Sequence, residues 1–362
     1  MGVEFMRKIL ATAGVAAALV LSAAAAASAA DKLKVCFVYV GPHNDGGYSQ
    51  QHDMGRQDVA KALGDKVDAS TYIENVKEED AERPIRELAQ KGCKLIFTTS
   101  FGFGPATMAV AKDFPDVKFE HATGFMVAPN VSTYNIRWYE GRYVMGQIAA
   151  KISKKGLAGY IVSFPIPEVV MGIDAFMLGA QSVNPDFKVK IVWVSSWFDP
   201  GKEGDAANVL INQGVDILVQ HTDSPAGMQA AEKAGIHAFG QSADMSSFGP
   251  KAHLASLIDN WGPYYIERTK AVLDGTWKSQ QAWEGFKENL VEVTPLTNMP
   301  ADVKSAAEAS IAKIKSGELQ VFKGPIAKQD GAAGVEAGKV IDDETLLGLN
   351  WYVKGIDDKI PQ

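Results

Sequence analysis

Cysteine is scarce in this chain and basic charge is outweighed. Two cysteines in 362 residues exclude a disulfide-dense scaffold. With 36 Lys and Arg against 43 Asp and Glu the net charge is −7, which excludes the basic face that nucleic-acid binding requires. The histidines (His43, His52, His121, His221, His237 and His253) are scattered and form neither HExxH nor another paired metal spacing. Gly102-Phe103-Gly104 is too short for a dinucleotide fingerprint, and no short-period repeat is present. His221-Thr222-Asp223-Ser224 brings imidazole, carboxylate and hydroxyl together, but a triad is defined by spatial roles and not by adjacency; the stretch reads as pocket wall or cap. No catalytic residue, metal site or cofactor is assigned.

Long apolar runs are also rare, and the one at the amino terminus has the form of a leader. Arg7 and Lys8 precede an apolar stretch from Ile9 to Leu21, and Ala27-Ser28-Ala29 supplies small residues for cleavage. Residues 1–30 are therefore expected to be a signal peptide. Beyond Leu21 the run is mostly alanine, too weakly apolar for a spanning helix. No cysteine lies near the cleavage site to carry a lipid anchor, so a free exported protein, periplasmic in location, is expected.

From Leu33 onward strands and helices alternate. Val35-Cys36-Phe37-Val38-Tyr39-Val40, rich in β-branched and aromatic residues and stopped by Gly41-Pro42, reads as a buried strand. Further strands are expected at Val67–Ile73, Lys94–Thr99 and Lys118–Ala122, with helices at Ser49–Leu63 and Glu78–Lys91 between them. After a long helix ending in Lys154-Lys155-Gly156 the rhythm restarts, with strands at Gly159–Phe164, Val189–Val194, Ile217–Gln220, His237–Gly240 and Leu254–Ile258. Two successive units of this kind predict two parallel sheets with right-handed crossovers and a cleft between them. The tail gives less: short strands at Leu290–Val293 and Val321–Ile326, an amphipathic helix at Ala301–Lys315, then an acidic extension. Cys36 and Cys93 read as small buried hydrophobes, with a disulfide left open because only their Cα separation decides it.

The loop Gly41-Pro42-His43-Asn44-Asp45-Gly46-Gly47-Tyr48 follows the first strand, where open α/β sheets place their ligands. It carries a carboxylate, an amide, a ring and three glycines, which are expected to let the backbone approach a flat ligand. This loop resembles the corresponding block of the basic-membrane-protein (Bmp) family, periplasmic solute-binding proteins that feed ABC importers. So do Thr98-Thr99-Ser100-Phe101-Gly102-Phe103, Lys118-Phe119-Glu120-His121-Ala122-Thr123-Gly124, Tyr139-Glu140-Gly141-Arg142-Tyr143, Phe176-Met177-Leu178-Gly179-Ala180 and Ser196-Trp197-Phe198-Asp199-Pro200-Gly201-Lys202-Glu203. The resemblance runs from about Lys32 to about Ile326.

It implies the type I periplasmic-binding-protein fold, α/β, with two Rossmann-like lobes of parallel sheet joined by a three-strand hinge. Residues 31–135 with about 260–290 would form one lobe, 136–258 with about 291–326 the other, and 327–362 a C-terminal extension. It implies no enzyme but a monomeric receptor that closes on a purine and delivers it to ABC permease and ATPase subunits. Carried over by position, Tyr48 stacks on one face of the base and Trp197 or Phe198 on the other. Ser100 and Phe101 line the pocket, and Asp45 and Asp244 accept hydrogen bonds from the base. Asp45 has a second reading as the cap of the following helix. Nucleoside binders of the family place a Lys after the strand corresponding to Ala255–Ile258; this chain has Asp259-Asn260-Trp261 there, which points to a free base such as adenine. Asp259 joins the expected site or orients the hinge. The alternatives are a nucleoside-binding receptor, an exported nucleoside-processing enzyme using Asp45 or His221, and a partner of a chemoreceptor or sensor kinase.

Overall fold

The first strand, β1 (Leu33–Tyr39), buries five successive residues, Val35 to Tyr39, as a strand covered on both faces must. Helices follow the first three strands of the first unit, and β4 then leads directly to β5: α1 (Tyr48–Leu63), β2 (Val67–Ile73), α2 (Glu82–Gln90), β3 (Leu95–Thr99), α3 (Gly104–Asp113), β4 (Lys118–Ala122) and β5 (Val131–Ile136). The second unit repeats the pattern: α4 (Trp138–Ile152), β6 (Leu157–Val162), α5 (Pro167–Gln181), β7 (Lys188–Trp193), α6 (Pro200–Asn212), β8 (Ile217–His221), α7 (Ala226–Ala234), β9 (His237–Gly240) and β10 (His253–Asp259). Then come α8 (Gly262–Leu273), β11 (Gln281–Glu284), β12 (Val291–Thr294) and α9 (Ala301–Lys315). This computed structural model describes residues 32–361; the leader expected at 1–30 lies outside the described residues.

The strands form two six-stranded sheets, ordered β2-β1-β3-β4-β5-β11 and β7-β6-β8-β9-β10-β12. All pairings are parallel except β12, which runs antiparallel to β10. The chain passes between the sheets three times: after β5, after β10 and between β11 and β12. This is the expected two-lobed α/β architecture. Strand β11 was not foreseen, because Gln281-Ala282-Trp283-Glu284 has no apolar run; its backbone finds partners along β5, from Thr133 to Ile136.

Two further expectations change. Cys36 and Cys93 are joined as a disulfide, not left as free thiols: the turn after α2 brings their Cα atoms to 6.0 Å. The bridge ties the central strand to the layer formed by Ile85, Leu88 and Val110. Replacing both cysteines by alanine is expected to cost about 2–4 kcal/mol. Urea unfolding with and without dithiothreitol checks this, since the reductant should then destabilise only the unmutated protein. The stretch Val321–Ile326 is mostly turn and not a strand; Lys323 makes an isolated bridge to Val340, β13 (Ile326–Ala327) pairs with β14 (Ala333–Val335), and Pro325 between them has no N–H to extend the ladder.

Residues 327–361 pack on the second lobe. It contains α10 (Asp343–Leu347) and buries Leu346, Leu349, Tyr352, Val353 and Ile356. The Val353 N–H donates to Asp174 Oδ1 on α5 at 3.0 Å, and Asp358 accepts from the Ile191 N–H of edge strand β7 at 2.8 Å. Nearer the hinge, Arg137 makes a two-pronged contact with Asp343 at 2.8 and 2.6 Å.

Candidate functional site

In each sheet the strand order reverses between its first and third strands, and ligands of open α/β sheets bind outside the strand ends at such a point. Here the two reversal points face each other. A cavity lies between them. Lobe 1 lines it with Val40, Tyr48, Ser100, Phe101 and Thr123 from the loops after β1, β3 and β4. From the other side come Trp138, Glu168, Trp197, His221, Asp223 and Gln241. Among the described residues, no Lys or Arg side chain lines this wall.

Four of the expected residues meet here. Tyr48, the first residue of α1, sets its ring edge-on to His52 at 4.3 Å and lies 6.4 Å from the Trp138 ring. Trp197 packs on Phe164 at 5.2 Å and faces His221 at 6.4 Å. Its indole N–H donates across the cleft to Glu78 Oε1 at 3.1 Å. The same oxygen accepts from Ser100 Oγ at 2.6 Å and the Gly102 N–H at 2.9 Å, so lobe 1 holds Glu78 in place for Trp197 to dock on. Phe101 completes the wall.

The other four are elsewhere. Phe198 lines a separate outer groove with Gly41 and Lys202. Asp45 is buried, but its oxygens accept from the N–H groups of Gly47 (2.8 Å), Ser49 (2.8 Å) and Gln50 (3.0 Å). It caps α1, the second of its two readings. Asp244 is exposed and accepts from the Ser246 N–H at 2.9 Å in a local turn, so it does not face the cavity. Asp259 is fully buried behind the wall, where Oδ1 accepts from Trp138 Nε1 at 2.8 Å. Burial pushes its carboxyl up to about 7, against the hydrogen bonds it accepts.

The glycines of the opening loop also have a different use from the one expected. A Cβ on Gly47 would stand 2.3 Å from the carbonyl oxygen of Asp223, and Gly46 lies against Pro225. They admit the backbone of the opposite lobe, not a ligand.

Sequence reasoning missed Trp138, Glu168, Gln241 and Glu78, and gave the stretch holding His221 and Asp223 a wall-or-cap role, with His221 otherwise a catalytic candidate in the enzyme alternative. The signal for Glu168 was present: Pro165-Ile166-Pro167-Glu168 follows β6 as Gly41–Tyr48 follows β1, so by the internal repetition of the fold it is the second opening loop. Glu168 is 15% exposed, accepts from Asn135 Nδ2 at 3.3 Å and lies 3.6 Å from His221 Nε2. Burial pushes its carboxyl up to about 8, and the neighbouring Asp259 adds to the shift. Asp223 is driven well above the carboxylate range by burial first, then by Asp45, Glu203, Asp259 and Glu168. Burial and Arg142 lower His221, leaving it neutral. At neutral pH the cavity therefore presents protonated carboxyls, each able both to donate and to accept.

This has a measurable sign. The unfolded chain releases the Glu168 proton near pH 4.3, whereas the folded chain keeps it to about pH 8. Ligand-free protein is expected to lose stability as pH rises through that window and to level off above it, and Glu168→Gln should flatten the slope. Melting temperature against pH checks this; a variant whose profile keeps the original slope would refute the assignment.

The profile of the PnrA-like ABC transporter substrate-binding proteins, the Bmp family, matches residues 32–323. A purine-binding protein of Brucella abortus is 63% identical over 338 residues, covering 93% of this chain and 96% of its own. A putative ABC transporter glucose-binding protein of Haloferax volcanii is 34% identical over 92% of this chain and 83% of its own. Among solved structures, a solute-binding protein from Aeropyrum pernix superposes with a TM-score of 0.71 at 19% identity, over 87% of this chain and 95% of its own, which bears on the fold alone. The chain belongs to the Bmp family of ABC transporter substrate-binding proteins.

Proposed function

We propose that the interlobe cavity binds a purine, most simply a free base such as adenine, and that the protein passes it from the periplasm to ABC permease and ATPase subunits. The observation that carries this reading is the composition of the wall. Rings come from both lobes, carboxyls are held neutral, and no cation is present. A purine is flat and rimmed with alternating donors and acceptors. Aromatic stacking contributes on the order of 1–3 kcal/mol per base. A protonated carboxyl can pair with an exocyclic amine and a ring nitrogen together. The missing cation disfavours nucleotides, whose phosphates need one. The free base is preferred to a nucleoside because the position of the family's ribose-binding Lys is held by Asp259, already bonded to Trp138. The Brucella relative named for purine binding supports the same class.

Thermal shift of ligand-stripped protein tests it against adenine, guanine, hypoxanthine, xanthine, urate, the nucleosides and glucose. A ligand at 100 times its Kd stabilises by about 2.7 kcal/mol. No response to any purine would sink the reading, and a glucose response would replace it. Adenosine outperforming adenine would sink the free-base refinement alone. Purified protein incubated with adenosine is expected to release no base, which separates a receptor from a nucleoside-processing enzyme.

Trp197→Ala is expected to lose at least tenfold in purine affinity, from the stacking and docking contacts together. Its apo melting temperature should change little, since the side chain is only half-buried. Calorimetric titration with a parallel melt checks this; a large loss of apo stability would make Trp197 a core residue.

A further inference from the structure

We propose that a second, apolar chamber on the hinge side of the cleft receives a hydrocarbon or aryl substituent of the purine, so that the ligands of this protein include N-alkylated purines. This rests on the purine reading above. The chamber adjoins the base cavity and shares Phe101, Thr123, Trp138 and Glu168 with it, so one ligand can reach from one to the other. Its own walls are Phe125, Ile136, Tyr139, Met171, Trp283 and Leu347.

The polar groups there each already have a protein partner. Thr123 Oγ1 donates to the Ala122 carbonyl at 2.7 Å. Asn135 accepts from the Ile136 N–H at 2.7 Å and donates to Glu168. Tyr139 OH accepts from Arg137 at 2.8 Å. The Trp283 indole N–H donates to the Ile136 carbonyl at 3.0 Å, and that of Trp138 to Asp259. A ribose placed here would bury hydroxyls with few groups free to pair with them, a costly outcome. No Lys or Arg lines the chamber to neutralise a phosphate. What remains is apolar surface seeking apolar surface, beside a carboxyl (Glu168) suited to a substituted exocyclic amine.

Titration calorimetry of the ligand-stripped protein with adenine, N6-benzyladenine and adenosine tests this. N6-benzyladenine is expected to bind about tenfold more tightly than adenine, from the added apolar burial, and adenosine more weakly than either. Met171→Trp, which fills the chamber, should erase the benzyl gain and leave adenine binding unchanged. Leu347→Trp at the exposed rim should reduce the gain and serves if the buried substitution fails to fold. N6-benzyladenine binding no better than adenine, or a gain that survives both substitutions, would overturn the chamber assignment. Failure of every purine to bind would instead overturn the purine reading, and this inference with it.

Discussion

Gly47→Ala is expected to weaken ligand binding at least 100-fold while leaving the fold intact. The added methyl would stand 2.3 Å from the Asp223 carbonyl oxygen, well inside any allowed contact, and that oxygen belongs to the opposite lobe. Neither neighbour is the far end of a flexible side chain, so relief requires the lobes to separate. Separation would break the docking of Trp197 on Glu78 and open the aromatic walls. In energetic terms, 100-fold is about 2.7 kcal/mol, a modest demand on a clash between two backbones. The melting temperature of the ligand-free protein should stay within a degree or two, because Gly47 meets the other lobe and not the core of its own. Isothermal titration supplies the affinity, and small-angle scattering with ligand should show a variant more extended than the parent. Gly201→Ala, whose nearest neighbour is the Asp199 carboxylate at 3.4 Å, is the matched control. Wild-type affinity in Gly47→Ala would show that binding does not require the closed arrangement.

Arg268→Met is expected to cost about 3–5 kcal/mol of stability, the range for removing one partner of a buried ion pair. Arg268 Nε donates to Glu120 Oε1 at 2.6 Å, with both side chains almost wholly buried. The same carboxylate accepts from Tyr264 at 2.8 Å and Trp277 at 2.7 Å, and so pins α8 against the first sheet. Burial already raises the Glu120 pKa, and Arg268 is the main influence pulling it down. Without Arg268 the carboxyl rises further and folds as the neutral acid. A carboxyl raised in the folded state binds protons that the unfolded state has released, so its penalty grows with pH. The deficit should therefore be larger at pH 8 than at pH 5. Guanidinium unfolding at both values measures it, and a loss under 1 kcal/mol at each would show that the pair does not hold the helix.

The architecture was legible because apolar runs such as Val35–Val40 and Gly159–Phe164, each ending in a turn, can hardly be anything but central strands. Four of the eight expected residues line the candidate cavity for a related reason: Ser100 and Phe101 follow β3 at once, and Tyr48 and Trp197 lie in the segments after β1 and β7, where the topology sends side chains into the cleft. The failures were electrostatic. Asp45 and Asp244 sit in equally suggestive loops, yet a carboxylate satisfied by nearby N–H groups looks the same in sequence as one awaiting a ligand. Glu168 and Asp223 acquire their character only from burial among other acids, which folding alone creates. The role of Gly47 was hidden likewise, since what it touches lies about half a chain away, at Asp223.

The C-terminal segment that clasps the second lobe has a consequence for the order in which the protein can be made. Asp174 is fully buried, and the backbone partner of its Oδ1 is Val353, which is synthesised 179 residues later. The first sheet is also left short until β11 arrives, long after its other five strands. A nascent chain therefore holds two unfinished halves until residues beyond Gln281 have emerged, and both are completed only by those later residues. Shortening the protein at 326 would not give a trimmed version of the same molecule; it would leave a buried acid facing a vacated surface and an edge strand without its cover.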